Sequence, residues 1–206
     1  QIAPSMLAAD FLHLDKDVEI VNENADLFHL DIMDGVFVPN ISYGFPVVEA
    51  IATVARKPMD AHLMIVHPEK YIERFARIGV SMLSFHLNAT DKPAQTLLHI
   101  RETGMKAGLV INPDMPVDSL YPYLHLCDYI ILMSVYAGFG GQKFIEHSIE
   151  KVKELRKLIN ETGSKALIEV DGGVTFETAP RLVKAGVDVL VSGNTVFSAP
   201  DPEQAI

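Results

Sequence analysis

Between residues 28 and 40 the sequence reads FHLDIMDGVFVPN, a buried-strand composition that nevertheless carries a histidine, two aspartates and a methionine. Side chains alternate along a strand, so His29, Asp31 and Met33 share one face while Leu30 and Ile32 share the other. Asp60-Ala61-His62-Leu63-Met64 repeats the mixture, with His62 and Met64 on one face. Ser84-Phe85-His86, Met133-Ser134 and Glu169-Val170-Asp171 close three further strand-like runs. A lone strand histidine is most often a hydrogen-bonded core residue, and a lone aspartate an acceptor for backbone amides. Burying several ionisable groups at equivalent strand ends is costly unless they pair or bind a cation. Two histidines and two carboxylates make a mixed nitrogen–oxygen donor set suited to Zn²⁺, Fe²⁺, Mn²⁺ or Co²⁺, and spacing does not choose among them. Met33, Met64 and Met133 are individually ordinary core filler, but their shared strand-end placement reads as an apolar, polarizable cover. Cys127 precedes its strand and stands away from these ends.

The elements that must position these residues alternate along the whole chain. Strand-like runs occupy residues 2–7, 26–33, 58–64, 80–87, 106–111, 129–134, 166–171 and 187–192. Helix-period stretches lie between them at 14–24, 45–55, 69–78, 149–162 and 176–185. Several helical stretches end on glycine just before the next strand, at Gly79, Gly104, Gly163 and Gly186. Such alternation implies parallel strands with helical crossovers. Eight units predict a closed (β/α)₈ TIM barrel, with an open doubly wound sheet as the alternative. No linker or low-complexity segment divides the 206 residues, so one domain spanning 1–206 is expected, its last helix cut short by the end of the sequence at Ile206. In such barrels the active site occupies the C-terminal ends of the strands.

Three glycine-bearing segments follow the last three strands: AGFGGQKF from Ala137, DGGV from Asp171 and SGNTVF from Ser192. Glycine-rich loops feeding helix N-termini leave backbone N–H groups free to surround an anion. One Gly-Gly pair would indicate only a flexible turn. Three at adjacent strand ends point to phosphate, which barrels frequently bind after strands seven and eight. This also reconciles an anionic ligand with a net charge of -10, because amide dipoles rather than lysines can hold it.

These motifs together resemble the ribulose-phosphate 3-epimerase family. APSMLAADF, HLDIMDGVFVPN, DAHLMI, GFGGQKFI, EVDGGV and GNTVF follow that family's order across nearly the whole chain. The resemblance implies a (β/α)₈ barrel that interconverts D-ribulose 5-phosphate and D-xylulose 5-phosphate at C3, with one divalent metal per chain. It implies His29, Asp31, His62 and Asp171 as metal ligands and Asp31 and Asp171 as the paired acid and base. Ser5, Met33, Met64 and Met133 would contact the sugar. Gly138, Phe139, Gly140, Gly141, Gly172, Gly173, Gly193 and Asn194 would surround the phosphate. Departures occur at Tyr136-Ala137, where the family usually has Asn-Pro, at Asn194 for a usual serine, and at Leu87-Asn88 after His86. Loss of the proline is expected to loosen its loop and leaves the length of the sugar open, with a ketohexose 6-phosphate such as allulose 6-phosphate as the rival substrate.

Two other classes are weighed against this. A sugar-phosphate lyase or decarboxylase would share the phosphate loops but call for a lysine at a strand end. Lys57 and Lys106 instead lie at strand starts, and Lys143 lies beyond the loop. A non-catalytic phosphosugar-binding protein would need neither metal nor paired carboxylates. The acidic balance without a basic stripe argues against a nucleic-acid partner. No apolar run approaches the roughly 18 residues of a membrane span. A single cysteine rules out an internal disulfide, and a cytoplasmic homo-oligomer is expected.

Overall fold

The computed structural model describes all residues from Gln1 to Ile206. Eight parallel strands alternate with helices: β1 (Ile2–Pro4), β2 (Phe28–Met33), β3 (Met59–Met64), β4 (Met82–His86), β5 (Lys106–Ile111), β6 (Tyr129–Met133), β7 (Leu167–Asp171) and β8 (Val189–Ser192). The helices are α1 (Leu14–Asn24), α2 (Phe45–Ala52), α3 (Ile72–Ile78), α4 (Pro93–Glu102), α5 (Ser148–Thr162), α6 (Thr178–Ala185), α7 (Asn194–Phe197) and α8 (Pro202–Ala205). Neighbouring strands pair in the order β1-β8-β7-β6-β5-β4-β3-β2. The seam between β1 and β2 is closed by a parallel bridge of Ser5 to His29, while Ile2 O accepts the amides of Asp26 (3.1 Å) and Leu27 (3.3 Å). No helix is long and apolar enough to cross a membrane.

The strand pattern divides the core in two. Outward-facing Leu30, Leu63, Phe85, Leu109 and Ile168 pack against Val18, Phe75, Leu97 and Leu155 of the helices. Inward-facing Ala3, Val110, Ile131, Met133, Val189 and Val191 fill part of the barrel. Amphipathic α5 shows the helical counterpart: Val152, Leu155 and Ile159 are buried while Lys153, Glu154 and Lys157 face outward.

The fifth unit departs from strict alternation, with two 3₁₀ turns, Val117–Leu120 and Leu124–Leu126, between β5 and β6. Pro113, Pro116 and Pro122 crowd this segment, and proline is excluded from helix interiors by its missing N–H and its ring. Lys151 of α5 pins the segment instead. Its buried Nζ donates to the carbonyls of Asn112 (3.2 Å), Pro113 (2.9 Å) and Met115.

Candidate active site

Strands β2, β3 and β7 bring His29, Asp31, His62 and Asp171 to one point at the C-terminal mouth. Both histidines are fully buried, Asp31 is buried, and Asp171 is the most open of the four. His29 Nε2 lies 3.4 Å from Asp31 Oδ1 and 3.9 Å from Asp171 Oδ2. His62 Nδ1 lies 3.3 Å and 3.5 Å from the same two oxygens. One donor atom from each residue falls within 4.8 Å of all the others. His29 Nε2, Asp31 Oδ1 and His62 Nδ1 are buried and have no hydrogen-bond partner. Orphaned buried polar atoms are rare, and three aimed at one point fit a shared cation.

Proton positions follow from burial and charge. Burial by itself disfavours both imidazolium ions, but the carboxylates around them outweigh it. His29 is raised well above its ordinary value by Asp31, Asp60 and Glu169, and His62 is raised to about 9 by Asp171 and Asp31. Asp31 is pushed up by burial, yet the adjacent His29 and His62 hold it well below the usual carboxylate range. Ser5 Oγ donates to Asp31 Oδ2, leaving Oδ1 free to face the histidines.

A further polar layer lies beneath and beside these four. His29 Nδ1 stands 2.8 Å from Asp60 Oδ2 and 3.1 Å from Glu169 Oε1, both side chains fully buried. Tyr129 donates its hydroxyl to Asp60 Oδ1 at 2.6 Å. The Tyr129 ring fits only because its neighbour across the ladder is Gly108, where a Cβ would come within 2.4 Å of it. Glu169 is raised by burial and by Asp60 beside it. His62 Nε2 lies 2.9 Å from Nε2 of buried His86. In the sequence Asp60, His86 and Glu169 stand at strand ends with no role of their own, although alternation puts Asp60 inward with His62 and Glu169 inward with Asp171. Tyr129 carries no comparable signal.

The mouth opens into a cavity of about 520 Å³. Ser5, Asp31, Met33, Met64, Met133 and Asp171 line one part of it, and Gly138, Phe139, Gly140, Gly141, Gly172, Gly173, Gly193 and Asn194 line another. His29 and His62 are fully buried and do not line it, whereas Asp31, 3.4 and 3.3 Å from their ring nitrogens, does. Asn40, Gln142, Thr175 and Thr195 also line the cavity, and nothing in the sequence alone singles them out.

The loop after β6 lacks the family's usual proline but has other anchors. Gln142 Nε2 donates to the carbonyls of Tyr136 (2.6 Å) and Phe139 (2.9 Å), and Asn40 Nδ2 donates to Gly138 O (2.8 Å). The two rim loops nearest the methionines are also tied together. Asp34 accepts from the amides of Val36, Phe37 and Val66, each at 2.8 Å, which explains the second aspartate of the opening stretch.

Gly173 shows why glycine is needed in the cradle. Its φ is +63°, and a Cβ there would stand 2.8 Å from the backbone N of Phe144. Gly173→Ala is therefore expected to destabilise the fold by at least ~1–2 kcal/mol from the left-handed backbone alone. Chemical denaturation of the variant beside the parent measures this, and unchanged stability would show that the loop can rebuild.

Comparison with known proteins decides the lineage. The model of the ribulose-phosphate 3 epimerase family matches residues 1–197. The chain belongs to the ribulose-phosphate 3-epimerase family. A ribulose-phosphate 3-epimerase of Synechocystis sp. is 46% identical, the match covering 100% of this chain and 90% of that one. The corresponding Bacillus subtilis epimerase is 45% identical, over 100% of this chain and 96% of its own. As a member of this epimerase family the chain is an isomerase. Solved structures show the barrel more widely. KGPDC from Streptococcus mutans superimposes with a TM-score of 0.73 at 15% identity, covering 99% of this chain and 92% of that one. A 3-hexulose-6-phosphate synthase reaches 0.72 at 16% identity, over 100% and 95%. At such identities the likeness is one of fold.

Proposed function

We propose that this epimerase interconverts D-ribulose 5-phosphate and D-xylulose 5-phosphate, and that His29, Asp31, His62 and Asp171 hold one divalent ion beside the reacting carbon. The observation carrying this reading is the convergence of three orphaned donor atoms, one of them on Asp31, which lines the same cavity as the glycine cradle. A bound divalent ion supplies electrostatic stabilisation of the negative charge that develops on the sugar's oxygens when C3 loses its proton.

The chain's residues do the rest. Inversion beside a ketone removes a proton from one face and returns one to the other, so two proton-carrying groups must flank the sugar. Asp31 and Asp171, from β2 and β7, are the carboxylates that reach the cavity there. One starts ionised and takes the C3 proton, while the other delivers its own; the reverse reaction exchanges their roles. Ser5 holds Asp31 in place through Oδ2. Met33, Met64 and Met133 present an apolar wall that keeps water from the deprotonated carbon. Backbone amides of the cradle, with the side chain of Asn194, hold the phosphate.

Substrate length tests the assignment. The ion-binding residues and the cradle fix the two ends of the sugar, and the loop carrying Tyr136 and Ala137 sets the room between them. GFGGQ resembles the pentulose epimerases, whereas allulose-phosphate relatives tend to read Gly-Phe-Ala-Gly-Gln. kcat/KM is therefore expected to favour ribulose 5-phosphate over allulose 6-phosphate, and both over unphosphorylated ribulose, in one metal-loaded preparation. Preference for the hexulose would overturn the substrate, and equal use of unphosphorylated sugar would remove the cradle's role.

Ion affinity should depend on pH in a defined direction. His62 is raised to about 9 by its carboxylate neighbours, and an ion needs the lone pair that this proton occupies. Binding thus releases protons, and below that pH the apparent affinity should rise about tenfold per pH unit for each proton displaced. Calorimetric titration of metal-free protein with Zn²⁺ across about pH 6 to 8 measures it. A pH-independent affinity would remove the histidines from the ligand set.

A further inference from the structure

We propose that Asp60 and His86 are positioning residues that fix opposite tautomers of the two buried histidines, so that His29 offers Nε2 and His62 offers Nδ1 to one ion. The proposal rests on the ion-binding reading above and extends it to residues outside the donor set.

The hydrogen-bond geometry requires the two tautomers to differ. His29 Nδ1 is hydrogen-bonded to Asp60 Oδ2 at 2.8 Å, and an ionised carboxylate only accepts. When the ring gives up its second proton to an ion, Nδ1 therefore keeps its hydrogen, and Nε2, which has no hydrogen-bond partner, offers the lone pair. Asp60 is itself held by the Tyr129 hydroxyl at 2.6 Å, so its free oxygen cannot turn away from His29.

His62 is turned the other way round. Its Nδ1 faces Asp31 and Asp171 and has no hydrogen-bond partner, while its Nε2 lies 2.9 Å from Nε2 of His86. The ring centroids are 5.0 Å apart and the planes 23° from parallel. A nitrogen–nitrogen distance so much shorter than the centroid distance indicates rings meeting edge to edge, as an N–H···N bond requires. If His62 gives its Nδ1 lone pair to an ion, its Nε2 must carry the hydrogen and His86 Nε2 must accept it. Phe37 packs against the His86 ring with centroids 4.9 Å apart, which limits its rotation.

Partners of this kind typically contribute about 10–100-fold to metal affinity. The test uses the full chain. Long-range ¹H–¹⁵N correlation of the histidine rings in the Zn²⁺-loaded parent should show His29 as the Nδ1–H tautomer and His62 as the Nε2–H tautomer. The same tautomer on both would overturn the proposal, with no variant needed. His86→Gln places an oxygen near the position of Nε2, whereas His86→Asn holds it too far back to reach. Co²⁺ affinity, measured by chelator competition on variants whose metal-free melting temperature is first recorded, should fall roughly 10–100-fold in His86→Asn and Asp60→Asn. It should stay near the parent's in His86→Gln, and the Co²⁺ visible absorption should shift only in the two weakened variants. Folded His86→Asn and Asp60→Asn proteins that bind Co²⁺ as the parent does would overturn the proposal alone. A parent that binds neither ion would overturn the ion-binding reading first.

Discussion

Asp31→Asn and Asp171→Asn should each lower epimerisation of ribulose 5-phosphate by at least about 10²–10⁴-fold, the usual contribution of a positioned acid or base. Asparagine keeps the shape of the side chain but cannot accept or deliver the C3 proton. The two positions should differ in their secondary effects. In Asp31→Asn the oxygen can remain with Ser5 Oγ, which turns the amide nitrogen toward His29 Nε2 and His62 Nδ1 and opposes a cation there. Asp171 is more open and has no equivalent serine, so its variant should retain more of the ion. Metal content must therefore be measured beside the rate. In deuterated solvent the parent should place label at C3 and at no other carbon. Near-normal turnover by either variant with its ion in place would overturn the two-carboxylate assignment.

Removing the ion should have the second large effect. Four donor atoms lie within 4.8 Å of one another, three of the four residues buried, and a cation among them would supply several kcal/mol of stabilisation to developing negative charge. Chelation is then expected to reduce turnover roughly a thousandfold or more. One of Mn²⁺, Fe²⁺, Co²⁺ or Zn²⁺ should restore it, at one ion per chain. Full turnover by rigorously metal-free protein would leave the two carboxylates acting without a cation, and the ligand assignment would fall.

Much of this arrangement was legible because barrel strands convert a one-dimensional pattern into a direction. His29-Leu30-Asp31 and Asp60-Ala61-His62 alternate polar and apolar residues, and the β2–β3 register, with Asp31 opposite His62, sets them side by side. The glycines after β6, β7 and β8 were visible for a different reason, since their cradle needs backbone conformations and clearances that other residues lack. Other features were hidden. Helix α4 has weak apolar periodicity, Pro113 and Pro116 disguised the fifth crossover, and Asn40 reaches Gly138 across 98 residues of chain. The tyrosine beneath the site was least visible. Tyr129 reads as an ordinary β-former, and only the space left by Gly108 lets its hydroxyl reach Asp60.

Barrel closure also bears on timing. The first strand pairs with the last, and the backbone nitrogen of Gln1 donates to Asp188 O across 187 residues of sequence. Contacts of such separation make folding slow and leave partly built sheets with open edges. During synthesis His29, Asp31 and His62 emerge well before Asp171 and the strand that completes the circle. A nascent chain thus holds three donors without the fourth and without the wall that excludes water. If the four residues hold an ion as proposed, it would act only after the last strand docks, and from then on free ion at about a hundred times its dissociation constant would add about 2.7 kcal/mol to the folded state. The cell's supply of that ion would then govern how long the finished barrel lasts as well as how fast it works.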